Sequence, residues 1–195
     1  MIDDQYRNGK RGQLMELKQL SENRLLKLCV TAMMTALICV ATMLVQIPMP
    51  LSGYVNLGDC FVLIAAWILG PVYGFAAGGI GSALADLFTG YAQYIPATFI
   101  IKGFMAVLAA VISKKLISKL EHRLPAYTVG ALVAELLMVI GYYIYSVILF
   151  GGFTAGLASL AGNLVQGAFG FIAGIVFVQV IHRSGIMNRI GAYSA

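Results

Sequence analysis

The feature that most constrains the fold is a succession of long apolar runs between Leu25 and Ile181. Within them Lys, Arg, Asp and Glu are almost confined to the ends. About 20 apolar residues are needed to cross a bilayer. In lipid the backbone has no water to bond, so such runs must be helices that satisfy their own N–H and C=O groups. The composition agrees, with 60% of the 195 residues apolar and 11% charged, where soluble domains sit near 45–50% and about 25%. These proportions exclude a disordered chain, a nucleic-acid-binding fold and a disulfide-stapled secreted domain.

Residues 1–24 are polar and read as a solvated tail; no small-residue cleavage site follows the next apolar run, so a signal peptide is not expected. Spans are expected from Leu25 to Ile47, ending before Pro48 and Pro50, then from Leu57 to Phe88, Ala97 to Ile112, Tyr127 to Phe150 and Ala155 to Ile181. Gly70-Pro71 interrupts the second stretch, and proline in a helix interior removes a hydrogen bond and displaces the residue before it. Charge decides between one long helix and two. With a break, Arg7, Lys10, Arg11, Lys18, Arg24, Lys27, Lys114, Lys115, Lys119, Arg123, Arg183 and Arg189 all fall on one side, as the positive-inside rule requires of the cytoplasmic face. Only Lys102 does not. The sequence therefore predicts an all-α, polytopic bundle of six transmembrane helices (residues 25–182) with both termini cytoplasmic and a short tail at 183–195. The two helices flanking the break, at about 14 residues and 1.5 Å per residue, would reach about 20 Å of a hydrocarbon core of about 30 Å.

Three cysteines, Cys29, Cys39 and Cys60, lie in or beside apolar runs and read as small hydrophobes; no disulfide framework or metal site is expected. His122 and His182 stand at helix ends, far apart. Small residues recur at helical spacing, as Ala32 and Ala36, as Gly70, Gly74 and Gly78, and as Gly170 and Gly174. Such rows let helices approach closely, within the bundle or against another subunit.

Polar groups inside the apolar runs are few. Ionisable residues in a membrane are costly and usually face a cavity or a partner. Asp59 opens the second span, Asp86 closes the third, and Lys102 lies about a turn into the fourth. Lys102 paired with Asp86 or Asp59 is one expectation; a charged pocket near the outer face is the other, and the two are compatible. Asn56, Tyr91, Gln93 and Tyr94 stand on outer loops nearby. Tyr142, Tyr143 and Tyr145 are in the outer half of the fifth span, with Glu135 in its inner half. Asn163 and Gln166 share a face of the last span. Aromatic walls with a few placed polar groups suit a small, flat, polar heterocycle. No phosphate-binding loop, HExxH, Cys-x-x-Cys or GxSxG element is present, and no duplicated half with broken helices marks a self-sufficient secondary transporter. An enzyme is not expected, nor is a cofactor.

The segments GYVNLGDC (Gly53 to Cys60), LGPVYG (Leu69 to Gly74) and GGIGSALADLFTGYAQYIPATFIIKG (Gly78 to Gly103) resemble the substrate-binding S components of energy-coupling factor (ECF) vitamin importers, in the riboflavin or hydroxymethylpyrimidine and pyridoxine group. The resemblance implies six helices with cytoplasmic termini in a bacterial plasma membrane. It implies a transmembrane scaffold (T) subunit and two ATPase subunits as partners, an Ala-xxx-Ala row on the first helix that docks on the scaffold (matched by Ala32 and Ala36), and a vitamin bound near the outer face beneath loops. Toppling of the whole S component, which the family mechanism implies, would suit short second and third helices. The expected substrate-binding residues are Asn56, Asp59, Asp86, Tyr91, Tyr94, Lys102, Glu135, Tyr142, Asn163 and Gln166. Pyridoxine or hydroxymethylpyrimidine is the first expectation and riboflavin the second, because tyrosines, amides and carboxylates are plentiful while the sole tryptophan, Trp67, lies far off at the inner end. The alternatives are a structural or assembly subunit, and an independent small solute carrier.

Overall fold

The computed structural model describes residues 24–48, 54–120 and 122–184. The expected polar tail at 1–23, the loop residues Ser52 and Gly53, and residues 185–195 including Arg189 lie outside them, as does the side chain of His182. Among the described residues, five helices are long and apolar enough to cross a membrane. They are α1 (Arg24–Leu44), α2 (Gly58–Thr89), α3 (Ile95–Ile117), α4 (Arg123–Phe150) and α5 (Phe153–Arg183). Between α1 and α2, two short strands, β1 (Ile47–Pro48) and β2 (Tyr54–Val55), pair antiparallel with Ile47 opposite Val55. A single 3₁₀ turn, Ala92–Tyr94, joins α2 to α3.

Helix α2 is folded on itself. Gly70 has φ +78° and ψ −175°, a backbone that only glycine adopts without strain, and Pro71 follows it at the point where the helical ladder is already broken. The arms at 58–69 and 71–89 then run back along each other. A Cβ at Gly74 would lie 3.0 Å from the Ala66 Cα, and one at Gly78 would lie 3.1 Å from the Val62 side chain, approaches that residues eight and sixteen apart on a continuous helix could not make. The same two glycines receive α3, with the Ala106 Cβ at 3.6 Å from each position. The glycine row therefore packs inside the chain. So does that on α5, where Gly170 faces Asp59 and Glu135, and Gly174 faces Leu63.

The arms are unequal, which corrects the expected pair of 14-residue helices: at 1.5 Å per residue the first is about 18 Å long and the second about 28 Å. The short arm sits in the middle of the bundle, its run from Val62 to Trp67 entirely buried, and so is shielded by protein. Helix α1 ends at Leu44, three residues short of the expected Ile47, because the chain ahead of Pro48 is already extended into β1. Pro96 begins α3 in the first turn, where its missing N–H is harmless, so Lys102 stands two turns into the helix rather than one.

Outside, α4 carries Leu132, Leu136, Ile140, Ile144 and Ile148 at every fourth position, each about half exposed or more. Its buried face includes the small residues Ala126, Gly130, Ala131 and Ala134. Large apolar residues outward and small residues inward are the pattern of a helix facing lipid. The chain is a multi-pass membrane protein.

Candidate ligand-binding site

The helix ends sort the polar residues into two groups. Arg24 and Lys27 start α1, Lys114 and Lys115 end α3, Arg123 starts α4 and Arg183 ends α5. All belong to one end of the bundle. At the other end the β1–β2 strand pair, the 3₁₀ turn and the facing ends of α2 to α5 enclose a cavity of about 40 Å³.

Each wall comes from a different element. Tyr54 and Asn56 descend from the strand pair, Asp86 from the end of α2, and Tyr91 and Tyr94 from the 3₁₀ turn. Thr98 comes from the second turn of α3, Tyr142 and Ser146 from α4, and Ser159, Asn163 and Gln166 from α5. Ring contacts order the aromatic roof: Tyr54 and Tyr91 have centroids 4.8 Å apart, Tyr91 and Tyr94 6.4 Å, and Tyr94 and Tyr145 5.6 Å. Tyr54 Oη donates to Asp86 Oδ1 at 2.9 Å. Burial and the neighbouring Asp86 carboxylate push the Tyr54 phenol well above the usual tyrosine range, so it remains a donor. Tyr142 Oη donates to Thr98 Oγ1 at 2.9 Å.

Beneath the cavity lies a fully buried polar floor. Lys102 Nζ pairs with Asp59 Oδ1, the two residues being 2% and 0% exposed. Gln166 Nε2 donates to Asp59 Oδ2 at 2.8 Å, while its Oε1 accepts from the backbone N–H of Asn56 at 3.2 Å and from Asn56 Nδ2 at 3.1 Å. One α5 side chain thus ties the strand pair to the core. The absent Cβ of Gly170 leaves room for Asp59 Cβ and Glu135 Oε1, each 2.6 Å from where that atom would stand. Glu135 is therefore within about 5 Å of Asp59 by the triangle they form.

Seven of the ten expected binding residues line the cavity: Asn56, Asp86, Tyr91, Tyr94, Tyr142, Asn163 and Gln166. Asp59, Lys102 and Glu135 do not; they form the floor. Lys102 pairs with Asp59, one of the two expected partners, and makes no ion pair with Asp86. Glu135 lies in the inner half of its helix as expected, but it is not isolated. Helix α4 begins at Arg123, which puts Glu135 about 18 Å along it, at the level of Asp59. Of the fifth-span tyrosines only Tyr142 reaches the cavity, since Tyr143 stacks on Phe153 at 6.0 Å and the Tyr145 hydroxyl donates to the exposed Gln93 carbonyl. Tyr54, Thr98, Ser146 and Ser159 were not expected. Three of them carried a signal, because Thr98, Ser146 and Ser159 stand four residues from Lys102, Tyr142 and Asn163 and so share their helix faces.

At the basic end, Trp67 Nε1 donates to Ser113 Oγ at 3.1 Å and its ring meets Tyr127 at 5.0 Å, a packing site remote from the cavity. Cys39 and Cys60 are buried and Cys29 exposed, all as free thiols. Among the described residues no cluster of ligating side chains suited to a metal occurs.

Comparison with known proteins supplies the remaining link. The chain is 29% identical over 174 residues to the thiamine precursor transporter HmpT of Lactococcus lactis, covering 88% of this chain and 97% of that protein. It is 36% identical over 138 residues to an uncharacterised protein of Pyrococcus woesei, covering 70% of this chain and 88% of the other. Its fold superposes with a TM-score of 0.58 and 20% identity on a solved S component of a bacterial ECF transporter, across 82% of this chain and 95% of that one. The family model for the S component of ECF-type riboflavin transporters matches residues 22–183. The chain belongs to that family of ECF transporter S components.

Proposed function

We propose that the chain is the membrane-embedded, high-affinity capture subunit of an ATP-driven ECF importer for a water-soluble vitamin or vitamin precursor. The observation that carries this reading is the lidded cavity, lined by four tyrosines, three amides, three hydroxyls and one carboxylate contributed by six separate segments. A bundle stabilised only by packing has no need to converge so many polar groups on one void, since each is costly to bury. At about 40 Å³ the void is small against the roughly 300–1,000 Å³ of ligand pockets. Capture therefore requires the roof of Tyr54, Tyr91 and Tyr94 to part and reclose.

The likeness to the thiamine precursor transporter of Lactococcus lactis favours a thiamine precursor, which agrees with hydroxymethylpyrimidine or pyridoxine as first substrate and riboflavin as second. The turned-back α2 supports six spans, and the basic residues collected at the end opposite the cavity support cytoplasmic termini with the cavity facing outward. Ala32 and Ala36 are exposed on α1 beside Met33 and Leu37, as a docking row for the scaffold subunit would be. The polar tails at 1–24 and 183–195 flank a single transmembrane binding domain. ATP hydrolysis is assigned to partner ATPase subunits.

Reconstitution tests this. The purified chain in vesicles should bind labelled hydroxymethylpyrimidine or pyridoxine without ATP, yet accumulate it only when the scaffold and ATPase subunits are present. Uptake by the chain alone would identify a carrier instead.

A further inference from the structure

Among the described lining residues the cavity contains one carboxylate, Asp86, and no Lys, Arg or His. Asp86 is 6% exposed. Its two oxygens are treated differently by the fold. Oδ1 accepts from Tyr54, whereas Oδ2 is buried without any hydrogen bond among the described residues. The Thr98 hydroxyl stands beside the carboxylate but without hydrogen-bond geometry to Oδ2. Lys102 is committed to Asp59 below. The amides of Asn56 and Gln166 are engaged with each other. A buried carboxylate oxygen without a donor is among the costliest polar groups to leave unsatisfied, and each such atom in a native structure calls for an explanation.

Asp86 lines the cavity together with the rings of Tyr54, Tyr91, Tyr94 and Tyr142. Ring faces stack on flat heterocycles and attract positive charge. A phosphate monoester would bring its negative charge beside Asp86 with no cationic side chain in the lining to neutralise it. Resting on the vitamin-capture function above, we infer that Asp86 Oδ2 is the specificity-determining acceptor for an N–H donor of the ligand. The site takes an unphosphorylated nitrogen heterocycle, neutral or cationic, that carries an amine or a ring N–H. Because Oδ1 holds Tyr54, the same carboxylate grips ligand and lid.

Isothermal titration of the full chain in nanodiscs tests this with hydroxymethylpyrimidine, its des-amino analogue (hydrogen in place of the exocyclic amine, leaving no N–H) and its phosphate ester. Losing a hydrogen bond to a charged group predicts that the wild type favours the amine over the des-amino analogue by about tenfold or more, with the phosphate ester weaker by at least a similar factor. Asp86→Asn keeps an acceptor for Tyr54 and turns an N–H₂ donor toward the ligand, so the amine-to-des-amino ratio should collapse or invert. Equal wild-type affinity for amine and des-amino compounds overturns the assignment without needing any variant to fold. An unchanged ratio in Asp86→Asn, or a phosphate ester that binds as well as its parent, also overturns it while leaving vitamin capture intact. Should pyridoxine or riboflavin bind in place of the pyrimidine, weaker binding of its phosphate together with a loss of at least about tenfold in Asp86→Asn supports the assignment, and the absence of either effect overturns it. If none of the three vitamins binds, the capture function itself fails.

Discussion

Replacing Lys102 by methionine separates the floor of the cavity from its walls. Lys102 and Asp59 are buried to within 2% of completely, and among the described residues Asp59 has this one cation as an ion-pair partner. Lys102→Met keeps most of the side-chain volume but leaves Asp59 charged in the core, with Gln166 Nε2 as its remaining donor and Glu135 close by. Breaking a buried pair from one side typically costs about 3–5 kcal/mol, and the second carboxylate places this case toward the upper end. Asp59→Asn should cost less, because the amide oxygen still accepts from Gln166 and Lys102 still has Glu135 as an electrostatic neighbour. The double substitution removes both charges and should return to within about 1–2 kcal/mol of the wild type, as expected for residues whose contributions are strongly coupled. Denaturant unfolding of the four proteins in one detergent, followed by the fluorescence of Trp67, measures all three terms. A Lys102→Met protein as stable as the wild type would refute the structural role. So would a fully stable variant that had lost ligand binding, which would move Lys102 into the binding site.

Further predictions follow from the lid, the hairpin and α1. Tyr54→Phe removes the 2.9 Å bond to Asp86. A hydrogen bond to a charged group contributes about 1.5–3 kcal/mol, so ligand release measured by stopped flow should quicken about tenfold or more, and the thermal midpoint without ligand should fall because the ligand-free fold already holds this bond. Gly74→Leu places a branched side chain where even a Cβ meets the Ala66 backbone at 3.0 Å; overpacking of this kind costs about 1–3 kcal/mol, read as a lowered denaturation midpoint. Ala32→Trp or Ala36→Trp, on an exposed face, should leave stability and ligand affinity unchanged and abolish co-purification with the scaffold subunit. Loss of ligand affinity in these variants would remove α1 from the docking role.

Much of the fold was legible because its determinants are local or compositional. Gly70-Pro71 marks the break by its own backbone chemistry, and the positions of Lys and Arg sort helix ends without any knowledge of packing. The site was legible only as far as polar residues stand out against an apolar background. Asp59, Lys102 and Glu135 stand out as strongly as Asp86. Depth along one helix does not tell which of them meets the void, because that depends on Gln166 arriving from more than a hundred residues away. Tyr54 was missed for a related reason, since its place over Asp86 is set by the pairing of Ile47 with Val55, and two-residue strands leave no periodic trace. Thr98, Ser146 and Ser159 are single hydroxyls in apolar helices, visible only once a neighbour four residues away has been assigned. The main correction is that the ionisable residues of the apolar runs divide into a floor of Asp59, Lys102 and Glu135 and one carboxylate, Asp86, that lines the cavity.

Native mass spectrometry of the chain purified from detergent, challenged with B-group vitamins and their precursors, tests the central claim most directly. The cavity beneath the tyrosine lid predicts a single 1:1 adduct with a vitamin or precursor, retained in the wild type and lost in a folded Asn163→Leu variant whose cavity is occluded. A folded wild-type chain that retains none of these compounds, or an adduct unaffected by filling the cavity, would contradict it.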